Sequence, residues 1–173
     1  MLPILLDLAI VKVVLVGEGE AFAKRRELLD AAGGEGAGVD VYTSGARPAE
    51  AVLQAAQLVF VAGLDKAESA GIAQVARASG ALVNVEDVKP LCDFHIPSLV
   101  RRGDLVLTVS TGGKSPGLAR RLRRYLEILF GPEWAGRVNE LAEKRDDWRR
   151  QDVGMAEIGR RTDAYVEEKG WLP

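Results

Sequence analysis

Between Val11 and Val85 the chain alternates β-branched apolar runs with short amphipathic stretches, and no other feature constrains its fold as tightly. Val11–Val16 reads as a buried strand that stops at Gly17. Residues 20–32 read as a helix with Phe22, Leu28, Leu29 and Ala32 on one face, ended by the glycine-rich stretch Gly33–Gly38. Val39–Thr43 is a second strand, and Pro48 at a first helical turn opens a short helix to about Ala56. Leu58–Ala62 is a third strand, residues 66–79 a helix stopped by Gly80, and Ala81–Val85 a fourth strand. Strands joined by helices of this length imply parallel βαβ units and a doubly wound α/β sheet.

The pattern changes after Val85. Phe94–Arg101 and Leu105–Ser110 read as two strands meeting at Gly103-Asp104. Residues 116–130 form an amphipathic helix, with Leu118, Leu122, Tyr125, Leu126 and Leu129 at the 3.6-residue period. Gly131-Pro132 interrupts it, and helices follow at about 133–150 and 153–168. Their apolar residues are sparse (Trp134, Val138, Leu141, Trp148), so this end is expected to need a partner surface.

Composition excludes several classes. With 47% apolar residues and a net charge of −2, the chain can bury a core and is not disordered by composition. The single Cys92 rules out an internal disulfide, and no Cys/His cluster has zinc spacing. No apolar run is long enough to span a bilayer, and Leu2–Leu6 lacks the basic flank of a signal peptide, so a cytoplasmic location is expected. Charge is unevenly spread: residues 1–100 hold 8 Lys and Arg against 13 Asp and Glu, residues 101–173 hold 15 against 12. Lys114, Arg120, Arg121, Arg123 and Arg124 concentrate the excess. They are either a solvated helix face or a site for an anion. The negative total and the lack of interleaved aromatics speak against nucleic acid.

Three segments could carry chemistry. Gly17-Glu18-Gly19-Glu20-Ala21-Phe22 follows the first strand and opens the first helix, the context of a dinucleotide fingerprint. Gly17 suits the tight turn, Gly19 lets the backbone approach a pyrophosphate, and the helix amides bind it. Phe22 stands where Gly or Ala is usual, Glu18 and Glu20 add negative charge, and the second strand ends at Thr43-Ser44 without an acid for the ribose. The alternative is a glycine turn that binds nothing. Thr111-Gly112-Gly113-Lys114-Ser115 is not a P-loop, because Thr108 stands where that motif needs Gly. It reads as a turn with Ser115 as N-cap, Pro116 at the first helical position, and amides at Gly112 and Gly113 open to a ligand. Asn84–Asp87 follows the fourth strand, where ligands bind in open α/β sheets, so Asp87 is either a general base or a turn carboxylate bonded to local amides. His95, between Phe94 and Ile96 on a strand, is a surface or a catalytic histidine. Cys92 is expected to be a buried apolar residue with no cation to activate it.

Taken together, Leu2–Leu8, the Gly17-Glu18-Gly19 turn with Lys24-Arg25-Arg26, Asn84–Asp87, Leu91–Phe94, and Ser110–Pro116 continuing through Leu118–Leu122 resemble the precorrin-2 dehydrogenase family. This is the N-terminal module of siroheme synthases, some members of which also act as sirohydrochlorin ferrochelatases. The resemblance spans about residues 2–130 and is most specific from Asn84 to Leu122. It implies a Rossmann domain over 1–90 that binds NAD through Gly17–Phe22 and Thr43, a dimerisation segment over 91–130, and a small helical domain over 131–173. It further implies oxidation of precorrin-2 to sirohydrochlorin, with Fe2+ inserted afterwards in some members, and it matches the family's important aspartate to Asp87. The polycarboxylate tetrapyrrole gives the basic cluster a partner: Lys114, Arg120 and Arg124 as clamps, with Thr111, Gly112, Gly113 and His95 lining the substrate. No resident metal is expected, and a second subunit is expected to complete the site. Two other readings of the glycine turn are a nucleotide-sensing module without catalysis and an S-adenosylmethionine-dependent methyltransferase.

Overall fold

A computed structural model describes residues 2–33, 38–43 and 45–172; Ser44 and most of the glycine-rich stretch lie outside the described residues. The chain divides into two compact units, residues 1–96 and 97–173. The first holds β1 (Val13–Gly17), α1 (Gly19–Gly33), β2 (Val39–Thr43), α2 (Glu50–Ala55), β3 (Leu58–Ala62), α3 (Lys66–Ala78) and β4 (Leu82–Val85). The four strands form one parallel sheet in the order β2-β1-β3-β4.

The two faces of β1 explain the layers. Val14 and Val16 pack with Leu53 of α2, Ala73 and Ala76 of α3, and Val59, Val61, Val83 and Val85 of the neighbouring strands. Val13 and Leu15 point the other way and pack with Leu29 of α1, Leu58, Phe60 and Leu8. Both faces are therefore covered, which is why β1 and β3 read as unbroken apolar runs. Because β1 pairs with β2 on one side and β3 on the other, chain direction across the sheet reverses there. A ligand crevice is expected at the carboxyl ends of those strands.

Several boundaries differ from the sequence expectation. Pro48 precedes α2, whose first helical residue is Glu50 after an extended Ala49. Ala32 is exposed, so only Leu29, with Phe22 and Leu28 partly buried, carries the apolar face of α1. The segment from Leu91 to Ile96 lies in the first compact unit. Its strand character is also absent: β5 begins at Ser98, because Phe94 turns its ring edge-on to Phe60 at 5.4 Å and leaves His95 in an exposed loop.

In the second unit, β5 (Ser98–Arg102) and β6 (Leu105–Val109) form an antiparallel hairpin, followed by α4 (Pro116–Leu129), α5 (Trp134–Arg150) and α6 (Met155–Glu168). Ser115 caps α4 by accepting the Leu118 amide, with Pro116 at the first position, as expected. Arg102 closes the other end, donating to the carbonyls of Phe130 (2.8 Å) and Glu127 (3.4 Å). The last two helices do not depend on an outside surface alone. Trp134 is buried between the rings of Phe130 and Trp171, Trp171 meets Tyr165 edge-on, and the Arg137 guanidinium lies 4.9 Å from Trp134 and 5.4 Å from Trp171. Among the described residues no helix is long and apolar enough to cross a membrane.

Candidate nucleotide and substrate site

The glycine turn after β1 is pressed against the end of β3. A Cβ on Gly17 would stand 1.8 Å from the Ala62 carbonyl oxygen, and one on Gly63 would stand 2.0 Å from the Glu18 carbonyl oxygen. The Glu18 amide donates to Ala62 O at 3.1 Å and ties the two strands at that point. Gly19 is the opposite case: φ is +72° and, among the described residues, nothing lies within 4 Å of where its Cβ would be. The backbone there is open to a ligand, at the first residue of α1, where the amides of the first turn have no intrahelical acceptor and the helix dipole is positive.

The acids in the turn are matched by cations. Lys24 lies 2.6 Å from the Glu20 carboxylate, and this hydrogen bond holds Glu20 below the usual carboxylate range. Glu18 is 4.0 Å from Arg47. Phe22, at the third fingerprint position, is accommodated because its ring packs against the Leu8, Val13, Leu15 and Leu29 cluster. Thr43 is the register partner of Gly17, so it reaches the same sheet edge, while Asp40 pairs with Val14 further back. Two glycines that exclude side chains, an open Gly19 and unsatisfied helix amides fit a dinucleotide pyrophosphate.

Asp87 stands on the same carboxyl edge, beyond β4. The Val88 amide bonds to Val85 O at 3.3 Å, making a tight turn in which Asp87 is exposed at φ +58°, a left-handed conformation uncommon for any residue but glycine. The chain that follows braces this turn from behind. Buried Asn84 donates from Nδ2 to Phe94 O at 2.9 Å, the Cys92 thiol donates to Val85 O at 3.0 Å, and the Asp93 carboxylate accepts from Arg77 and from the Val83 amide. Cys92 is thus half-buried and hydrogen-bonded, in place of the buried apolar residue expected. The motif residues Asn84, Cys92, Asp93 and Phe94 are one clasp under Asp87.

Arg25 was not singled out by the sequence. Its guanidinium stacks on the Phe60 ring at 5.5 Å, and burial lowers its pKa, opposed chiefly by the Glu86 carboxylate. One Glu86 carboxylate oxygen is buried without a hydrogen-bond partner among the described residues. The signal was available in the basic run Lys24-Arg25-Arg26, but only a helix register shows which of the three turns inward.

The remaining candidates lie in the second unit. Ser115 N donates to Thr111 Oγ1 at 3.1 Å and Lys114 N to Thr111 O at 3.1 Å, leaving Gly112 (φ +62°) and Gly113 (φ +79°) exposed at the tip of the turn. Arg120 and Arg124, four residues apart on α4, are exposed on one side of the helix. Arg123 instead pairs with Glu127. The first unit therefore gathers Gly17–Phe22, Thr43 and Asp87 at one sheet edge. The second holds Thr111–Lys114 in the turn before α4 and Arg120 and Arg124 along that helix, and His95 lies exposed in the loop after Phe94 in the first unit. Among the described residues no three His, Cys, Asp or Glu side chains are placed to hold a metal ion.

Comparison with known proteins bears on both units. Residues 4–98 match the family described as "Putative NAD(P)-binding", and residues 102–127 match "Sirohaem biosynthesis protein central". Siroheme synthase 1 of Pectobacterium atrosepticum is 37% identical over 158 residues, covering 82% of this chain and 32% of that protein. Siroheme synthase of Thiobacillus denitrificans is 36% identical, covering 83% and 33%. The chain spans about a third of the length of these curated relatives. The solved structure titled "SirC, precorrin-2 dehydrogenase" superposes with a TM-score of 0.76 at 21% identity, covering 100% of this chain and 93% of that one, which establishes a shared fold.

Proposed function

This chain belongs to the NAD(P)-binding family matched over residues 4–98, and from that premise we propose that it oxidises precorrin-2 to sirohydrochlorin with NAD+ in siroheme biosynthesis. The observation that carries this reading is the placement of Asp87. It is an exposed carboxylate fixed on a left-handed turn at the carboxyl edge of the sheet, the edge that also holds the Gly17–Gly19 turn. Siroheme synthases share 37% and 36% identity with most of the chain, and the fold is that of a precorrin-2 dehydrogenase.

When bound, the nicotinamide supplies the hydride acceptor. The first-turn amides of α1 and the open Gly19 backbone would hold the pyrophosphate, and Thr43, at the same sheet edge, would serve the adenosine ribose. Asp87 takes the proton released as the tetrapyrrole loses its hydride; its exposure gives substrate access, and the clasp of Asn84, Cys92 and Asp93 fixes its position. Lys114, Arg120 and Arg124 bind substrate carboxylates through charge-assisted hydrogen bonds, with the Gly112 and Gly113 backbone beside them and His95 at the substrate periphery. In a second step with Fe2+ as substrate, the same carboxylate accepts pyrrole N–H protons as the metal enters.

The working form is a cytoplasmic homodimer. Leu118, Leu122, Tyr125 and Leu129 form an apolar stripe along α4 that is exposed in the single chain, and a second copy covers it.

The decisive experiment incubates the protein with precorrin-2 and NAD+ and follows the sirohydrochlorin spectrum, then adds Fe2+. Oxidation that disappears in Asp87→Asn is the expected result. An unchanged spectrum with wild-type protein would reject the dehydrogenase, and methyl transfer from S-adenosylmethionine in its place would support the methyltransferase reading.

A further inference from the structure

Arg47 follows β2 at the corner of the sheet where a dinucleotide's adenosine ribose lies in folds of this type. β2 ends at Thr43 without an acid for the ribose hydroxyls, and an arginine near this corner is the usual donor to an adenosine 2′-phosphate. On residue type alone, Arg47 would point to NADP+. Its contacts point the other way.

The Arg47 guanidinium is already engaged. Nε pairs with one carboxylate oxygen of Glu68, in the first turn of α3, and Nη2 lies 3.4 Å from the other. Nη2 also lies 4.0 Å from the carboxylate of Glu18, inside the glycine turn. Asp65, at the N-cap of α3, adds its negative charge to the field around Arg47. One guanidinium thus faces three carboxylates, and the corner is negative.

We propose that this arrangement makes the site select NAD+ over NADP+, with Glu68 as the determinant that withholds Arg47 from phosphate binding. The proposal rests on the nucleotide reading of the glycine turn. A 2′-phosphate brings a charge of roughly −1.5 to −2. To bind, it must take the guanidinium from a carboxylate that already holds it through two nitrogens, and must sit beside Glu18. A 2′-hydroxyl is neutral and can donate to a carboxylate at the same corner. Arg47 and Glu68 are each about one-third exposed, so solvent screens part of the effect. A preference of about tenfold, the worth of one charge-assisted hydrogen bond, is the expected scale.

The test titrates the full chain with NADH and NADPH, following nicotinamide fluorescence, with ADP-ribose as a third ligand. Wild-type protein is expected to bind NADH about tenfold more tightly than NADPH. Glu68→Gln frees Arg47 and is expected to tighten NADPH about tenfold while NADH changes little. The double variant Glu68→Gln/Arg47→Gln is expected to lose that gain, which a general loosening of the fold would not do. Should Glu68→Gln lose its circular-dichroism signature, Glu68→Asp, which shortens the side chain by one methylene, is expected to shift the ratio in the same direction. NADPH binding as tight as NADH in the wild type, or a ratio unmoved by these variants while ADP-ribose still binds, would overturn the proposal alone. Failure of all three ligands to bind the wild type would overturn the nucleotide reading and this proposal with it.

Discussion

The guanidinium of Arg77 on α3 grips both carboxylate oxygens of Asp93, with Nε 3.0 Å from Oδ1 and 2.9 Å from Oδ2, while Oδ2 also accepts the Val83 amide at 2.9 Å. Helix, strand and the segment that braces Asp87 are joined at this one carboxylate. The Arg77 hydrogen bond holds Asp93 below the usual carboxylate range; partial burial opposes it and the Val83 amide reinforces it. The folded state therefore binds this proton less readily than the unfolded chain. The resulting stability is present above the ordinary pKa of about 4 and is lost as pH falls through the lower folded value. Asp93→Asn is expected to cost about 1–2 kcal/mol at neutral pH. Denaturant titrations at pH 7 and at about pH 3 check it: the variant should lose less stability than wild type on acidification.

Asp87 combines the side chain proposed as the base with a backbone that glycine prefers. Asp87→Gly removes the cost of the left-handed conformation, about 1 kcal/mol, together with the carboxylate. Its melting temperature is expected at or above that of wild type, with precorrin-2 oxidation abolished. A melting temperature below that of Asp87→Asn would show that the side chain, and not φ, sets the stability of the turn.

Two glycines two residues apart should behave in opposite ways. Gly17→Ala drives a Cβ into the Ala62 carbonyl and is expected to cost about 3 kcal/mol or more, visible as loss of the cooperative melt. Gly19→Ala meets no neighbour among the described residues, so the protein is expected to stay folded at a cost of about 1 kcal/mol for its positive φ. ADP-ribose affinity should nevertheless fall, because the new methyl group occupies the space through which a pyrophosphate approaches.

On α4 the two functions proposed for one helix can be separated. Leu122→Glu with Tyr125→Glu is expected to shift sedimentation toward the monomer while far-ultraviolet dichroism is unchanged. Arg120→Glu with Arg124→Glu is expected to raise KM for precorrin-2 by about tenfold with kcat little affected, as for lost substrate binding. An unmoved KM would leave these arginines as solvated charges.

The strand and helix alternation of the first unit was legible because both faces of its sheet are buried, which writes β1 and β3 as continuous apolar runs. The glycine turn and Asp87 were legible from their positions after β1 and β4. What the sequence obscured depends on contacts distant along the chain. Phe94 looks like the first residue of a strand until its ring is seen to pack on Phe60. The period of α4 correctly marks an amphipathic helix, yet Ala119 is its buried residue and Leu118, Leu122, Tyr125 and Leu129 are exposed. Periodicity finds an apolar stripe but cannot say whether the same chain covers it. Arg25 and Arg47 were hidden for a related reason: their meaning lies in Phe60 and Glu68, far from them in sequence.

The interlock of Gly17 against Ala62 and Gly63 against Glu18 has a consequence for descent. These two glycines are held by the packing of β1 on β3, whatever the site binds, whereas Gly19 is held by its positive φ and, like Asp87, by the ligand and chemistry proposed for it. A lineage that abandoned catalysis would be free to vary Gly19 and Asp87 and would still keep Gly17 and Gly63. Retention of the first pair in a distant copy is therefore a mark of shared architecture, and only retention of the second is a mark of surviving activity.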